Sequence, residues 1–383
     1  MEGILVALGT TVSVTWQGAK VDSFVPAPLR DLRVELPERV VRATERAIAA
    51  LHLANQRIGD RRFETLARLL LRAEGVASSH IEGVRAPAEQ VAMAEIDSEA
   101  TDASAAWVAD NLAVVEASLV HARSPAVLGA RHLHAWHRRL MGHGGLPGEL
   151  VGRYRRTQSW VGGPSPRQAA YVPPPAEHVV GLMRDLLGFA NSAPYDPVTV
   201  AALVHAQFET IHPYGDGNGR IGRVLIGWAL ARHAEVHVPP PVSIVMARDV
   251  GGYLSGLTRY RQGDVSGWVA WVADAVRRAA EGVDDVVGAA DDVRRRWDDL
   301  VAGLRTDAAA RRLLDVVSRD LVVSGPSVAE SLSVSGPTAR SAIDALASRG
   351  ILEPIAVALR SAGRPARWWG APELLALVSR WSR

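Results

Sequence analysis

Cysteine is absent from the 383-residue chain. Its absence excludes disulfides, thiol catalysis, iron–sulfur clusters and zinc sites built on cysteine. Lysine is almost absent too, since Lys20 is the only one and arginine supplies nearly all of the positive charge. Arginine is suited to forked contacts with phosphate. The net charge of +2 nevertheless does not require a nucleic-acid partner. The local arrangement of the charged residues must therefore indicate what the protein binds.

Long apolar runs are also missing. No window approaches the roughly 20 unbroken apolar residues of a membrane-spanning helix, while the apolar fraction of 48% suffices for ordinary buried cores. The segment from Met1 to Val14 shows neither a basic leader nor a clear cleavage site, so it does not resemble a secretory signal. We expect a soluble cytoplasmic protein with no membrane partner.

The length of the chain predicts two or three domains. In residues 1–123, leucines recur at the spacing of a helix. Residues 124–282 contain further helical patterns and one polar, glycine-rich motif. A connecting helix is expected in residues 283–305, over Val283–Leu300, and a separate unit in residues 306–383. The predicted fold class is mainly α.

The informative motif runs from His212 to Arg223 and reads HPYGDGNGRIGR. A helical run ends before it, because Pro213 disfavours the helical conformation at His212. Helical periodicity resumes at Ile221. The motif is therefore a helix–loop–helix with glycines at the start of the second helix.

Such a helix start favours anions, because its backbone N–H groups are free and the helix dipole points at them. Gly217 and Gly219 carry no side chains that would keep a phosphate away. Arg220 and Arg223 are three residues apart on one helix face, so both can reach along a polyphosphate.

Two further side chains complete the chemistry. Asp216 supplies a carboxylate oxygen for Mg²⁺, which commonly takes one or two carboxylates together with phosphates and water. His212 is the residue of the motif whose ordinary pKa suits a general base near neutrality. The motif contains no nucleophile, so the substrate must provide one.

A dinucleotide-binding interpretation was also weighed, since Gly217–Gly222 matches G-x-G-x-x-G and Glu235 lies where a ribose-binding acid would. That fingerprint requires a preceding strand, and here a helix precedes the glycines. A plain glycine turn between helices would not require histidine, aspartate and two arginines together. We therefore favour phosphoryl-transfer chemistry.

The motif resembles the Fic signature, H-P-F-x-[D/E]-G-N-G-R-x-x-R, with Tyr214 in place of the usual phenylalanine. The resemblance implies a helical Fic-fold core with a small β-hairpin flap. It also implies a protein adenylyltransferase that moves AMP from ATP, with Mg²⁺, onto a Tyr, Thr or Ser hydroxyl of a target protein. Self-association is common in the family, so a homo-oligomer stays open.

The resemblance assigns a role to each matching residue. His212 would deprotonate the target hydroxyl, and Asp216 would hold Mg²⁺. The phosphates would be bound in order along the motif: the α-phosphate by Asn218 with the backbone of Gly217 and Gly219, the β-phosphate by Arg220, and the γ-phosphate by Arg223.

The family's target-binding flap is similar to the segment from Arg153 to Pro175. Two short apolar pieces around a Gly/Pro turn predict a hairpin there, and a hairpin edge binds an extended peptide by strand addition. The flap residues we single out are Trp160, Val161, Gly162, Tyr171 and Val172. Tyr253 resembles the family position beside the adenine.

A second motif, from Ser78 to Gly83, matches the family's inhibitory pattern, [S/T]-x-x-x-E-[G/N]. In the family the glutamate, here Glu82, pairs with the second arginine of the signature, here Arg223, and blocks seating of the γ-phosphate. The plainer alternative is a solvated charge at a helix end. With the Fic signature present, we expect autoinhibition by Glu82.

The last unit, residues 306–383, is typical of a winged helix-turn-helix domain. The expected elements are helices at Ala308–Leu321, Ser327–Leu332 and Pro337–Ser348, and strands at Ile351–Ala356 and Ala366–Gly370 around a wing at Ser361–Pro365. Arg360, Arg364 and Arg367 concentrate on that wing. Both DNA and protein stay open as its partner.

Four histidines, His132, His134, His137 and His143, lie close together in the sequence. Their spacing is not that of a zinc site, so we interpret them as surface or core-edge residues. Three alternative functions stay open: a DNA-binding regulator whose core senses nucleotide, a Fic-fold enzyme that uses another nucleotide, and an enzyme that also removes AMP.

Overall fold

The computed structural model describes residues 8–58, 63–356 and 367–381. This part of the chain is mainly helical, as predicted. Its helices are α1 Glu38–Ile58, α2 Phe63–Ile81, α3 Ala88–Ile96, α4 Ala103–Arg123, α5 Ala130–Leu140, α6 Ala176–Ser192, α7 Pro197–Ile211, α8 Asn218–His233, α9 Val242–Arg248, α10 Val250–Arg261, α11 Val265–Leu300, α12 Ala309–Asp320, α13 Gly325–Leu332, α14 Gly336–Ala347 and α15 Pro372–Trp381. Its strands are β1 Gly9–Trp16, β2 Ala19–Pro26, β3 Val322–Ser324, β4 Glu353–Ile355 and β5 Trp368–Gly370.

Helix α7 lies at the centre of the main core. Asp196 caps it by accepting hydrogen bonds from the backbone of Val198 and Thr199, and Pro197 occupies its first turn. All its residues from Val198 to Ile211 are buried, as expected for a helix with neighbours on every side. The helix ends at Ile211, which confirms the stop predicted from Pro213.

An N-terminal hairpin, β1–β2, packs beside the predicted flap. Gln17 and Gly18 both have positive φ, of 47° and 76°, so the two-residue turn has the handedness that antiparallel strands favour. The backbone N–H of Phe24 donates to Val172 O over 3.1 Å, which fixes the hairpin to the flap.

The flap itself is less regular than the predicted hairpin. Its two arms meet in one antiparallel bridge, between Val161 and Tyr171. The second arm continues into Pro173, Pro174 and Pro175, and proline has no N–H to donate to a strand partner. The sequence of the second arm therefore limits strand pairing.

Helix α4 is long and apolar enough to cross a membrane by length and composition, a test that buried helices of folded cores also pass. In the structure, 61% of its most apolar window is buried. Helices α2, α3, α5 and α8 cover it.

Helix α11 corrects the predicted connecting helix. We placed its start at Val283, but one continuous helix begins at Val265, where Asp264 caps it by accepting from the backbone of Gly267. Gly282 lies inside the helix without interrupting it. The proposed boundary between residues 282 and 283 thus falls within one helix, while the division into four regions stays a prediction.

The C-terminal unit contains the three predicted helices, now α12, α13 and α14, and a small antiparallel sheet in the order β3-β5-β4. Strand β3 and helix α15 were not predicted. The expected wing at Ser361–Pro365, with Arg360 and Arg364, lies outside the described residues. The winged-helix assignment of this unit stays a prediction.

Candidate functional site

The loop between α7 and α8 is closed by the side chain of Asn218. Its Oδ1 accepts from the backbone N–H of Tyr214 over 2.8 Å, and its Nδ2 donates to the carbonyl of the same residue over 2.9 Å. Gly217, at the N-cap of α8, has φ of +74°, a conformation that favours glycine. The amide of Asn218 therefore shapes the loop, and its contact with a phosphate stays a prediction.

The N-terminus of α8 lies against a carboxylate of the protein itself. A Cβ added to Gly219 would overlap Glu82 Oε1, so glycine is needed for this approach. Glu82 belongs to the loop that follows α2 and is partly exposed. Its charge occupies the position at a helix start where the dipole favours anions.

Arg223 connects α8 to the predicted inhibitory motif. Its buried guanidinium donates from Nε to Ser78 Oγ over 2.9 Å, and from Nη2 to Ser78 O and to Glu82 Oε1, both over 2.8 Å. Burial alone would raise the pKa of Glu82, but Arg223, together with Arg220 and His212, holds that pKa below its ordinary value. The structure thus brings Ser78, Glu82 and Arg223 together, as the sequence predicts.

Arg220 is buried without a matching acceptor. Its Nε and Nη1 atoms have no hydrogen-bond partner among the described residues. The ring of Trp107, from α4, stacks on the guanidinium at 4.1 Å from its central carbon. A buried cation whose donors are unmet is costly, and an anionic ligand would remove that cost.

His212 lies at the end of α7 in the left-handed conformation, with φ of +49°. Arg155 fixes the backbone there, since its Nε donates to His212 O over 2.9 Å and its own N–H donates to Pro213 O over 2.8 Å. Burial, with a smaller effect of Arg155, lowers the pKa of His212 to about 4. The imidazole is therefore neutral at neutral pH and free to accept a proton.

Glu209, one turn before His212, lies close to the imidazole. The distance from Glu209 Oε2 to His212 Nδ1 is 4.0 Å, beyond a hydrogen bond. Burial raises the pKa of Glu209 to about 7, and Arg223 opposes that rise. Sequence analysis did not select this residue.

His137 corrects our interpretation of the histidine cluster. It is fully buried, and its Nδ1 accepts from the backbone N–H of Gly152 over 2.8 Å. Its Nε2 must therefore carry the proton that it donates to Asp216 O over 3.0 Å. The ring also stacks on Tyr214 at 4.0 Å. His137 supports the loop, and its sequence signal was only its position on the buried face of α5.

Asp216 is exposed on the loop, where its Oδ1 accepts from the backbone N–H of Gly217 over 2.6 Å. Within residues 8–58, 63–356 and 367–381, no three His, Asp or Glu side chains form a group that could hold a metal ion. One carboxylate still fits Mg²⁺, because that ion usually completes its coordination with substrate phosphates and water.

The flap residues lie beside this loop. Tyr171 donates from its hydroxyl to Thr210 O over 2.7 Å, and Arg261 stacks on its ring at 4.1 Å. Trp160 contacts Trp16 of β1 edge-to-face at 6.0 Å. Val172 is buried, and Gly162 has φ of +70° in the turn.

Tyr253 is only 2% exposed, and its hydroxyl lies 3.0 Å from His205 Nε2. It is therefore buried against His205 in this structure, and its role beside an adenine stays a prediction.

The site thus combines a helix start that favours anions, a buried Arg220 without acceptors and a neutral His212. Residues 127–230 match the sequence model of the Fic/DOC family. This matched segment contains the loop and the start of α8, so the part of the chain that forms the site is similar in sequence to the Fic/DOC family.

Curated proteins that are similar in sequence to this chain also bear the Fic name. The chain is 28% identical over 244 residues to Protein adenylyltransferase Fic of Drosophila willistoni, covering 62% of this chain and 46% of that protein. It is 34% identical over 148 residues to the protein of that name from Culex quinquefasciatus, covering 38% of this chain and 27% of that protein. The chain thus spans less than half the length of these relatives.

Solved structures show the same fold. A Fic family protein from Desulfovibrio desulfuricans G20 superposes with a TM-score of 0.54 at 23% identity, over 88% of this chain and 97% of that chain. A Fic domain containing signaling protein from Bacteroides thetaiotaomicron VPI-5482 superposes with a TM-score of 0.52 at 19% identity, over 63% of this chain and 97% of that chain. The helical core is therefore a Fic fold.

The site requires glycine at position 222. A Cβ there would overlap Glu209 Oε1 and lie 3.1 Å from His205 Nδ1. We expect Gly222→Ala to lower the free energy of unfolding by about 1–3 kcal/mol, because the added methyl would displace side chains that are both buried. Chemical denaturation measures the change.

Gly227→Ala is the matched control, since Gly227 lies in the same helix with open space around its Cα. It should stabilise the protein by about 0.5–1 kcal/mol through helix propensity. Equal effects of the two substitutions would contradict the packing argument.

Proposed function

We propose that this chain is a protein adenylyltransferase that transfers AMP from ATP to the hydroxyl of a Tyr, Thr or Ser side chain in a target protein. The observation that carries the proposal is the buried, unmatched guanidinium of Arg220 in the first turn of α8, together with the neutral His212 at the end of α7. The names of the curated relatives support the same reaction.

The proposed step needs one base and an electrostatic cradle. His212 takes the proton of the target hydroxyl, the oxygen attacks the α-phosphorus of ATP, and the bond to the β-phosphate oxygen breaks. Pyrophosphate leaves, while the α8 amides, Arg220 and Arg223 stabilise the phosphate charges. Asp216 would hold Mg²⁺, which neutralises charge on the phosphates.

Autoinhibition by Glu82 follows from competition for Arg223. The carboxylate already accepts from Arg223 Nη2 over 2.8 Å and lies against Gly219 at the helix start. One guanidinium cannot serve both this carboxylate and a γ-phosphate with full bidentate geometry. Glu82 thus opposes productive seating of ATP.

Removing Glu82 tests the reaction and its inhibition together. We expect Glu82→Gly, incubated with ATP and Mg²⁺, to gain mass equal to one or more AMP groups by self-modification, at least about tenfold faster than the wild type, because Arg223 is released. Intact-protein mass spectrometry measures the gain.

The double variant Glu82→Gly with His212→Ala is the control, and it should gain no AMP while still binding ATP, because only the base is lost. Equal modification of the wild type and Glu82→Gly would contradict the autoinhibition. Modification that survives loss of His212 would contradict its role as base.

The low pKa of His212 predicts an unusual dependence of the reaction rate on pH. The protonated form, which cannot act as a base, dominates only below a pKa of about 4. The Glu82→Gly variant lacks a carboxylate that raises the pKa of His212, so its kcat/KM should be flat from pH 8 to pH 5 with respect to this group. The fall of about tenfold per pH unit should begin only below pH 4. Steady-state rates on a peptide target measure the profile.

Glu209→Gln serves as the control, because it removes the buried carboxyl with a pKa of about 7 beside His212. An acid limb near pH 6.5 in both forms would mean that His212 titrates as an ordinary exposed histidine.

A DNA-binding role is a second proposal for the C-terminal unit. The observation that favours it is the exposed polar face of α14, which carries Ser335 at its N-cap, Thr338, Arg340 and Ser341. Helix N-termini and arginines are common phosphate contacts in helix-turn-helix proteins.

Arg340→Ala should weaken duplex binding uniformly across sequences. It should also reduce the slope of log affinity against log salt concentration by the amount expected for about one phosphate contact. Fluorescence anisotropy with labelled duplexes at several salt concentrations measures both. Absence of any salt-dependent duplex binding by the full chain would contradict the proposal.

A further inference from the structure

Trp107 lies outside both the signature motif and the residues that match the family model. It belongs to α4, and its indole ring lies over the guanidinium of Arg220, with the central carbon 4.1 Å from the ring centroid. Tryptophan gives the strongest cation–π contacts of the aromatic side chains. The ring therefore attracts the arginine without using any of its N–H donors.

Arg220 has little else to fix its direction. Its Nε and Nη1 find no hydrogen-bond partner in the described part of the chain. The negative groups that act on it, Asp216 and Glu82, raise its pKa less than burial lowers it. The stacked ring is thus the main contact that can set the plane of the guanidinium.

The segment of α4 that carries Trp107 is held against α2. One turn further along α4, Asn111 donates from Nδ2 to Gly75 O over 3.0 Å and to Ser79 Oγ over 3.2 Å, both on α2. A Cβ added to Gly144 would lie 3.3 Å from the indole, so the segment after α5 passes close to the ring. The indole Nε1 has no hydrogen-bond partner among the described residues, so packing holds the ring beside Arg220.

We propose that Trp107 is a positioning residue for Arg220: it holds the guanidinium flat so that its free N–H groups meet the β-phosphate, and the site thereby favours nucleoside diphosphates and triphosphates over monophosphates. The inference rests on the proposed function, which places the β-phosphate at Arg220. Removing Trp107 should therefore weaken the binding of ADP and not that of AMP, because AMP has no β-phosphate for Arg220 to contact.

The test compares ADP with AMP. Affinities are measured by isothermal titration calorimetry with Mg²⁺ in the Glu82→Gly background, which leaves the phosphate positions open. We expect Trp107→Leu to weaken ADP about tenfold, as loss of a desolvated cation–π contact would, with AMP changed less than about twofold. Trp107→Phe keeps an aromatic ring with a weaker cation–π contact, so its affinity for ADP should lie between those of Trp107→Leu and the parent.

Trp369→Leu, in β5, is the matched control for loss of a partly buried tryptophan, and it should leave the ADP-to-AMP affinity ratio unchanged. Equal weakening of both nucleotides by Trp107→Leu, or no weakening, would overturn the inference while leaving the proposed function intact. If the Glu82→Gly parent bound neither nucleotide, the proposed function would fail, and the inference with it. Should Trp107→Leu not fold, the ratio for Trp107→Phe decides.

Discussion

The concentration of positive charge at the N-terminus of α8 is the constraint on which the site depends. Free N–H groups, Arg220 and Arg223 are all buried within one turn of helix, and such a group of donors and cations is stable only beside an anion. In this structure Glu82 provides part of that charge, through its bond to Arg223 and its approach to Gly219. The carboxylate that stabilises the site is thus the same one that we propose as its inhibitor.

The surrounding elements keep this charged turn in a fixed shape. His137 holds the Asp216 carbonyl, Asn218 closes the loop on Tyr214, and Arg155 holds the backbone at His212 and Pro213. These contacts come from three different segments, so the loop geometry does not depend on ligand. A preformed site needs little reorganisation when phosphate charge develops in a transition state.

The sequence predicted the parts of the site that are local. Pro213 ended α7 at Ile211 as expected, and the spacing of Arg220 and Arg223 placed both side chains in the site. The pattern around Glu82 also led to the ion pair with Arg223, although the two residues lie far apart in the chain. That success came from resemblance to a family, because no local rule pairs residues at such separation.

What could not be predicted depends on tertiary contacts. Trp107 and His137 look like ordinary helix residues until α4 and α5 are packed against the loop. The early start of α11 was missed because Gly282 was treated as a boundary, whereas packing of α1 along the helix supports it. Leu66, Leu69 and Leu70 of α2 share a core with the C-terminal unit, so removing residues from 306 onward would uncover an apolar face.

The central claim is that the α8 start binds the phosphates of ATP at the place Glu82 now occupies. A crystal structure of the Glu82→Gly variant with a non-hydrolysable ATP analogue and Mg²⁺ tests it most directly. We expect phosphate density against the amides of Gly217 and Gly219, with Arg220 and Arg223 on successive phosphates and His212 facing the α-phosphate. Phosphates bound elsewhere, with Arg220 still unmatched, would contradict it.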